Sequence, residues 1–119
     1  MENDFSEKRK HKRYSATDDA IIYYNNHIGR VINISESGMA IKLIDWTEAL
    51  SDEMEVEFNS ITTESHIGRL PLKQVREEDK KFSRFGGFTT QTLGYRFKKP
   101  NAVQQEQVRK FIFELSRQN

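Results

Sequence analysis

The stretch RVINISESGMAIKL, residues 30–43, indicates the fold most directly. Its two ends, RVINI (residues 30–34) and MAIKL (residues 39–43), are rich in the β-branched and long apolar side chains that favour strands. Between them, SESG (residues 35–38) contains the small and polar residue types that form tight turns. The stretch therefore predicts two neighbouring strands joined by a short turn.

Four further segments have strand-like patterns at short intervals along the chain. EMEVEF (residues 53–58) alternates acidic and apolar side chains, so one of its faces is apolar. SHIGRLPLKQV (residues 65–75) contains Pro71, which places this strand at an edge or a bulge because proline lacks an N–H. The other two segments are AIIYY (residues 20–24) and TLGYRF (residues 92–97). Six short strands with no helix between them predict an antiparallel barrel or sandwich.

The C-terminal segment predicts one amphipathic helix over about residues 101–117. Asn101 and Gln104 have the spacing of a capping box, in which each side chain bonds the backbone of the other residue. Apolar residues then recur at the helical spacing and form one stripe, which must dock on the barrel. They are Val108, Phe111, Ile112 and Leu115.

The segment REEDKKFSRFGGFTTQ, residues 76–91, matches neither a strand nor a helix pattern. It is long for a connection in a compact domain, so we interpret it as a mobile or functional loop. Its three phenylalanines, Phe82, Phe85 and Phe88, either pack back on the domain or face a partner, and core packing is the preferred alternative.

Positive charge is concentrated near the N-terminus, in EKRKHKRY (residues 7–14). Residues 1–13 hold five Lys and Arg against three Asp and Glu, whereas the rest of the chain has a net charge of −1. These residues contain almost no apolar side chains, so we predict a flexible basic N-terminal arm over residues 1–13. Such a distribution favours a local anion site over a surface that coats nucleic acid.

Several function classes are disfavoured by the composition. The chain has no cysteine, no apolar run of the ~20 residues that span a bilayer, and no signal-peptide pattern, so we expect a cytoplasmic protein without membrane insertion. His11, His27 and His66 lack the spacing of a metal site, and Ser35 has no histidine at a triad spacing. We therefore expect no enzyme, no metal and no cofactor.

Two short motifs carry the recognition chemistry. Arg9 and Arg13 form R-x-x-x-R. An arginine side chain can stack on a purine, and it can also fork onto a phosphate or a guanine edge, that is, donate two parallel hydrogen bonds to it. Asn33, Ser35 and Gly38 form the pattern N-x-S-x-x-G inside NISESG. These three residues can simply build the turn, with Gly38 supplying a positive φ, or they can line a pocket with an amide, a hydroxyl and a bare backbone.

Together, these motifs resemble the signature of the PilZ domain, a bacterial receptor for cyclic di-GMP. That signature is R-x-x-x-R followed across the first strands by [D/N]-x-S-x-x-G, and RKHKR and NISESG occur here in that order. LGYRF (residues 93–97) also looks like the late G-x-x-F strand of the family. The resemblance implies a stand-alone PilZ protein: the arm of residues 1–13, then a six-stranded antiparallel barrel with a C-terminal helix over residues 14–119.

The resemblance also implies a ligand and its contacts. By the family pattern, Arg9 and Arg13 contact the phosphates and a guanine of cyclic di-GMP, and Asn33, Ser35 and Gly38 meet the other guanine and its neighbouring phosphate from the barrel. The arm closes over the ligand and thereby changes a surface that binds a downstream effector protein.

Three lysines in the arm, Lys8, Lys10 and Lys12, supply supporting charge. Some family members carry further arginines beside the motif and bind two stacked ligand molecules. Here Lys8 and Lys10 stand at those neighbouring positions, and lysine neither stacks nor forks as arginine does. One or two ligands per chain both remain open. Asn33 stands where aspartate is commoner, and its amide oxygen can accept one hydrogen bond from guanine.

Two other functions remain as alternatives. A small barrel can bind single-stranded nucleic acid through the basic arm and exposed aromatic residues, although the near-neutral remainder of the chain speaks against it. A degenerate family member can also act through protein contacts alone, for example through residues 76–91.

Overall fold

The computed structural model describes residues 12–44, 52–75, 81–85 and 88–117, with the backbone alone of residues 81–85 and 88–89. Over these residues the protein is mainly β and forms a closed six-stranded antiparallel barrel with one C-terminal helix. The predicted fold class is confirmed, and the barrel is the correct one of the two predicted architectures.

The strands follow one another along the chain with short connections. In chain order they are β1 (Tyr14–Ser15), β2 (Ile21–Tyr24), β3 (His27–Ile34), β4 (Gly38–Ile44), β5 (Glu53–Ser60), β6 (Ser65–Gln74), β7 (Lys81–Phe85) and β8 (Phe88–Phe97). The ring runs β3-β2-β5-β6-β8-β4 and closes because β4 also pairs with β3. The remaining two strands join the ring at its sides: β1 pairs with β3, and β7 pairs with β8.

The hairpin of β3 and β4 forms as the opening stretch predicts. Ile34 lies opposite Met39, and the turn between the strands is closed by the Ser35 N–H, which donates to the Gly38 carbonyl at 2.8 Å. The preceding hairpin turns at Asn25 and Asn26, whose φ angles of 47° and 66° are those that a tight two-residue turn requires. Asparagine tolerates this left-handed region better than most residues.

The interpretation of residues 76–91 as a loop without regular structure was wrong for most of the segment. β7 pairs with β8 from Lys81 opposite Thr92 to Phe85 opposite Phe88, so β8 begins four residues earlier than predicted. The β6–β8 pairing covers only the end of β8, which leaves the edge of its first half open to β7. This pairing depends on tertiary position, so it gives no periodic signal. The side chains of the three phenylalanines, and residues 76–80, lie outside the described residues.

The apolar side chains of alternate strand positions fill the barrel, as the pleat of a strand requires. Helix α1 (Ala102–Arg117) closes one end by packing against β6 and β1. The ring of Phe111 on α1 meets the ring of Phe58 on β5 edge to face, with the ring centroids 4.8 Å apart. The predicted stripe of the helix is buried, and it comprises Val108, Phe111, Ile112 and Leu115.

The predicted capping box is confirmed and does more than begin the helix. The Gln104 N–H donates to Asn101 Oδ1 at 2.8 Å, and the Asn101 N–H donates to Gln104 Oε1 at 2.9 Å. Gln104 Nε2 also donates to the carbonyls of Gly68 and Arg69 at 3.0 and 2.9 Å. The same side chain therefore caps α1 and fastens it to β6. Those carbonyls belong to a bulge of β6 that lies just before Pro71, as that proline predicts.

Asp19 ties the loop before β2 to the turn after β5. Its Oδ2 accepts hydrogen bonds from the Thr62 N–H and hydroxyl, both at 2.8 Å. Its Oδ1 accepts from the hydroxyls of Thr17 at 2.9 Å and Ser60 at 3.2 Å. The hydroxyl of Thr62 and then that of Thr17 lower the pKa of this carboxyl below its ordinary value of 3.8, against the opposing effect of burial.

We expect Asp19→Asn to lower the stability of the protein at pH 7 and much less at pH 3. The folded-state pKa lies below the unfolded one, so the carboxylate's contribution is complete above about pH 5 and is lost as the pH falls through the folded pKa. Urea unfolding midpoints at both pH values measure this, with the exposed Asp52→Asn as the matched loss of charge. An equal difference between Asp19→Asn and wild type at both pH values would contradict the prediction.

Candidate functional site

Four of the five predicted ligand residues lie in the described part of the chain, at one end of the β3–β4 hairpin. Arg13 comes directly before β1, Asn33 lies near the end of β3, and Ser35 and Gly38 bound the turn. One predicted ligand residue and two of the supporting lysines lie outside the described residues; they are Lys8, Arg9 and Lys10.

Strand β1 holds the chain beside this turn immediately after the basic run. Tyr14 lies opposite Ile34 and Ser15 lies opposite Asn33, while the Ala16 N–H donates to the Ile32 carbonyl at 3.0 Å. The antiparallel pairing brings Arg13 to the turn end of β3. A two-residue strand has no periodicity, so the sequence analysis could not predict β1.

A hydrogen bond joins the two sequence motifs. Arg13 Nη1 donates to Asn33 Oδ1 at 2.8 Å, although twenty residues separate them along the chain. Both residues are partly exposed, so the guanidinium and the amide border solvent together. Beside them, Lys12 Nζ lies 5.2 Å from the centroid of the Tyr14 ring, in the range of a cation–π contact.

The hydroxyl of Ser35 faces into the turn. Ser35 is only 1% exposed, and its Oγ accepts a hydrogen bond from the Ser37 N–H at 3.1 Å and lies 3.1 Å from Ser37 Oγ. In this conformation Ser35 stabilises the turn, which is the first of the two interpretations of the motif, and does not present its hydroxyl to a pocket.

Gly38 is required by a close approach of two strands. Its φ lies outside the left-handed region, so the expectation of a positive φ here was wrong. Gly38 lies opposite Arg96 of β8, and a Cβ at this position would collide with the Tyr95 carbonyl oxygen and lie 2.9 Å from Arg96 Cα. The missing side chain therefore lets β4 and β8 pair at the end of the barrel.

The turn is also fastened on its outer side. The Phe97 N–H donates to the Ser37 carbonyl at 2.9 Å, and Glu36 Oε1 lies 3.8 Å from Arg109 Nε on α1. The ion pair is long and exposed, so it contributes little on its own. The backbone bond and the buried glycine give the turn a fixed position relative to β8.

Two cations that the sequence analysis did not select lie next to this site. Lys42 on β4 and Arg96 on β8 share the outer face of the sheet with Asn33. A single lysine or arginine at an outward strand position has no distinguishing sequence pattern. Only the pairing of β3 with β4 and of β4 with β8 reveals that both lie on the face of the sheet that Asn33 occupies.

A groove of about 600 Å³ lies beside the start of α1, and it offers fewer unpaired charges to a ligand than the turn region does. Two of its lining cations are already paired: Lys98 Nζ lies 2.6 Å from Glu53 Oε2, and Arg69 Nε lies 3.3 Å from Glu55 Oε1. The hydrogen bond from Lys98 lowers the pKa of Glu53, which keeps the pair ionised. The charges of this groove are thus largely balanced within the protein.

The described residues contain no group of three or more acidic or histidine side chains arranged to hold a metal ion. In the same part of the chain, no helix is long and apolar enough to cross a bilayer. What the turn region offers is a set of hydrogen-bond donors: the guanidinium of Arg13, the amide of Asn33 and the free ends of Lys42 and Arg96. Such groups suit an anionic ligand with planar polar edges.

Comparisons with known proteins identify a family and a shared fold. The model of the PilZ domain family matches residues 7–114 of the chain. The PilZ domain of YcgR from Escherichia coli, solved with c-di-GMP, has a TM-score of 0.70 at 20% identity, and the match covers 93% of each chain. The comparison with curated protein sequences found no significant match.

Two larger solved structures share the fold over part of their length. The complex of YcgR from Escherichia coli with c-di-GMP has a TM-score of 0.66 at 19% identity, and 93% of this chain covers 47% of that one. The MrkH–c-di-GMP complex from K. pneumonia has a TM-score of 0.71 at 14% identity, and 92% of this chain covers 52% of that one. The chain thus spans about half the length of these two proteins, and at such identities the likeness is one of fold.

Proposed function

The chain belongs to the PilZ domain family, and from this premise we propose that it is a receptor for cyclic di-GMP. The neighbours of known structure described above were solved with this dinucleotide, which supports the choice of ligand. Both signature motifs of the resemblance fall within the residues that the family model matches.

One observation carries the proposal: the 2.8 Å hydrogen bond from Arg13 to Asn33. It couples the end of the R-x-x-x-R motif to the start of the N-x-S-x-x-G motif on the surface of the barrel. A ligand that contacts one motif therefore lies within reach of the other.

Cyclic di-GMP has two anionic phosphodiesters and two guanines, and the site residues have matching roles. In the proposed complex, Arg9 and Arg13 contact phosphate oxygens and stack on or fork onto one guanine. Asn33 meets the edge of the other guanine through its amide group, whose oxygen has a second lone pair beside the one that Arg13 uses. Ser35 and Gly38, both buried, hold the turn that presents Asn33.

The arm of residues 1–13 completes the site in this proposal. It closes over the ligand and brings Arg9 to it, with Lys8, Lys10 and Lys12 as supporting charge. Ordering the arm costs conformational entropy, which reduces the net affinity. The pairing of β1 with β3 supports this hinge, because it anchors the chain directly behind Arg13.

We further propose that the protein acts as an adaptor in the bacterial cytoplasm and catalyses no reaction. Closure of the arm would change a surface that an effector protein binds. The described site supports a binding role, since it combines cations and an amide with a serine that is buried in its own turn.

Calorimetric titration with cyclic di-GMP tests the function directly. We expect saturable binding at micromolar ligand, and the inflection of the isotherm gives one or two molecules per chain. Lys98→Ala should bind as wild type does, because the Lys98 ammonium is held by Glu53. Absence of heat at tens of micromolar ligand, with the protein folded, would refute the proposal. Salt-sensitive binding of a single-stranded oligonucleotide by a protein indifferent to cyclic di-GMP would favour the nucleic-acid alternative.

A further inference from the structure

The outer face of β4 and β8 extends the candidate site beyond both motifs. Asn33 lies opposite Ala40, and Ala40 lies opposite Gly94, so these three residues form one row across β3, β4 and β8. Because β4 and β8 are antiparallel, Arg96 and Lys42 lie on opposite sides of this row: Arg96 is opposite Gly38 and Lys42 is opposite Thr92. Because side chains alternate along a strand, Arg96 and Lys42 share the face of this row.

These two cations differ from the other described cations on the strands. Arg30 pairs with Asp18, and Arg69 and Lys73 pair with glutamates of β5. Within the described residues, neither Arg96 nor Lys42 forms an ion pair. Their charge is therefore uncompensated on a face that already contains Arg13, and it attracts an anion to this part of the barrel.

Arg13 and Arg96 lie on opposite sides of the turn between β3 and β4. Arg13 precedes β1 on one side, and Arg96 lies on β8 on the other, which is three strand spacings or roughly 14 Å away. Between them on β4, Gly38 has no side chain, and Ala40 and Gly94 in the neighbouring row raise no long side chain above the sheet. A planar group can therefore lie over them and contact both arginines.

We propose that Arg96 and Lys42 form a second anion subsite, which binds the phosphodiester of cyclic di-GMP next to the guanine that Asn33 meets. This inference rests on the proposed function, since it assigns the other half of the same ligand. Arg96 forks onto the phosphate oxygens, and Lys42 contributes a point charge at the far side of Ala40. Some family members carry further arginines in the arm, where this chain has Lys8 and Lys10. Here Arg96 supplies an arginine from the barrel instead.

Calorimetric titrations of Arg96→Ala and Lys42→Ala with cyclic di-GMP test the subsite. We expect the dissociation constant to rise about tenfold or more for Arg96→Ala, since hydrogen bonds to charged groups are involved, and several-fold for Lys42→Ala. Lys110→Ala removes the same charge from an exposed position of α1 and should bind as wild type does. Arg96→Lys keeps the charge without the fork and should fall between wild type and Arg96→Ala.

The outcomes separate this subsite from the receptor function. If wild type binds and Arg13→Ala does not, while Arg96→Ala, Arg96→Lys and Lys42→Ala all match the Lys110→Ala control, the subsite is wrong and the receptor stands. If wild type itself does not bind, the receptor proposal fails and the subsite fails with it. Thermal unfolding verifies that each variant is folded, and Arg96→Lys decides the question should Arg96→Ala be unstable.

Discussion

Replacing Arg13 with alanine is expected to weaken the binding of cyclic di-GMP on the order of a hundredfold. The Arg13 guanidinium donates to Asn33 at 2.8 Å and is partly buried, so it is already held beside the site. A hydrogen bond to a charged group contributes about 1.5–3 kcal/mol, and a forked guanidinium makes two of them. Dissociation constants of wild type and variant from calorimetry give the size of the effect.

Three variants separate recognition from simple charge. Arg13→Lys keeps the charge without the fork and should recover only part of the affinity. Arg9→Ala should weaken binding in the same direction, whereas Lys110→Ala should not. The Arg13→Ala variant should fold normally, because Asn33 is partly exposed and water can replace the hydrogen bond that Arg13 donates to it. Binding by Arg13→Ala within threefold of wild type would show that Arg13 does not contact the ligand.

Replacing Gly38 with alanine is expected to destabilise the protein by roughly 3 kcal/mol. The new methyl group would collide with the Tyr95 carbonyl oxygen and lie 2.9 Å from Arg96 Cα, and backbone atoms cannot rotate away as a flexible side chain can. The clash can be relieved only if β4 and β8 move apart at the end of the barrel next to the β3–β4 turn. We therefore also expect weaker ligand binding, since that turn follows Asn33. Chemical denaturation of wild type and variant measures the change in the free energy of unfolding.

Gly68→Ala is the matched control for this substitution. A methyl group there would lie 3.5 Å from Glu57 Oε1, which is an ordinary van der Waals contact with a flexible side chain. Its stability should stay within about 0.5 kcal/mol of wild type. Equal stabilities of the two glycine variants would show that β4 and β8 can adjust to a side chain at Gly38.

Much of the fold was predictable because its signals are local. Alternating side chains within EMEVEF and RVINISESGMAIKL are visible in a few residues, and both segments form strands close to the predicted bounds. The capping box of Asn101 and Gln104 likewise spans four residues, and α1 begins at Ala102. Neither β1 nor β7 has such a pattern, since each pairs with an edge that exists only after the ring closes.

The candidate site was predictable in composition and less so in geometry. The resemblance of Arg9, Arg13 and NISESG to the family signature implied the residue types of the proposed dinucleotide site. It did not indicate that Ser35 is buried inside its own turn, or that Gly38 serves the approach of β8. Both facts depend on backbone positions that sequence spacing does not contain.

The sequence by itself determined the six strands of the ring and the helix, and it indicated which two motifs hold the proposed recognition chemistry. Hydrogen-bond capping and side-chain alternation act over two to four residues, so these features are readable along the chain. Tertiary structure alone decided which polar groups become neighbours. The pairing of β1 with β3 brings Arg13 to Asn33, and the pairing of β4 with β8 brings Arg96 to the same face. Such contacts depend on strand register and ring closure, which join residues far apart in the sequence.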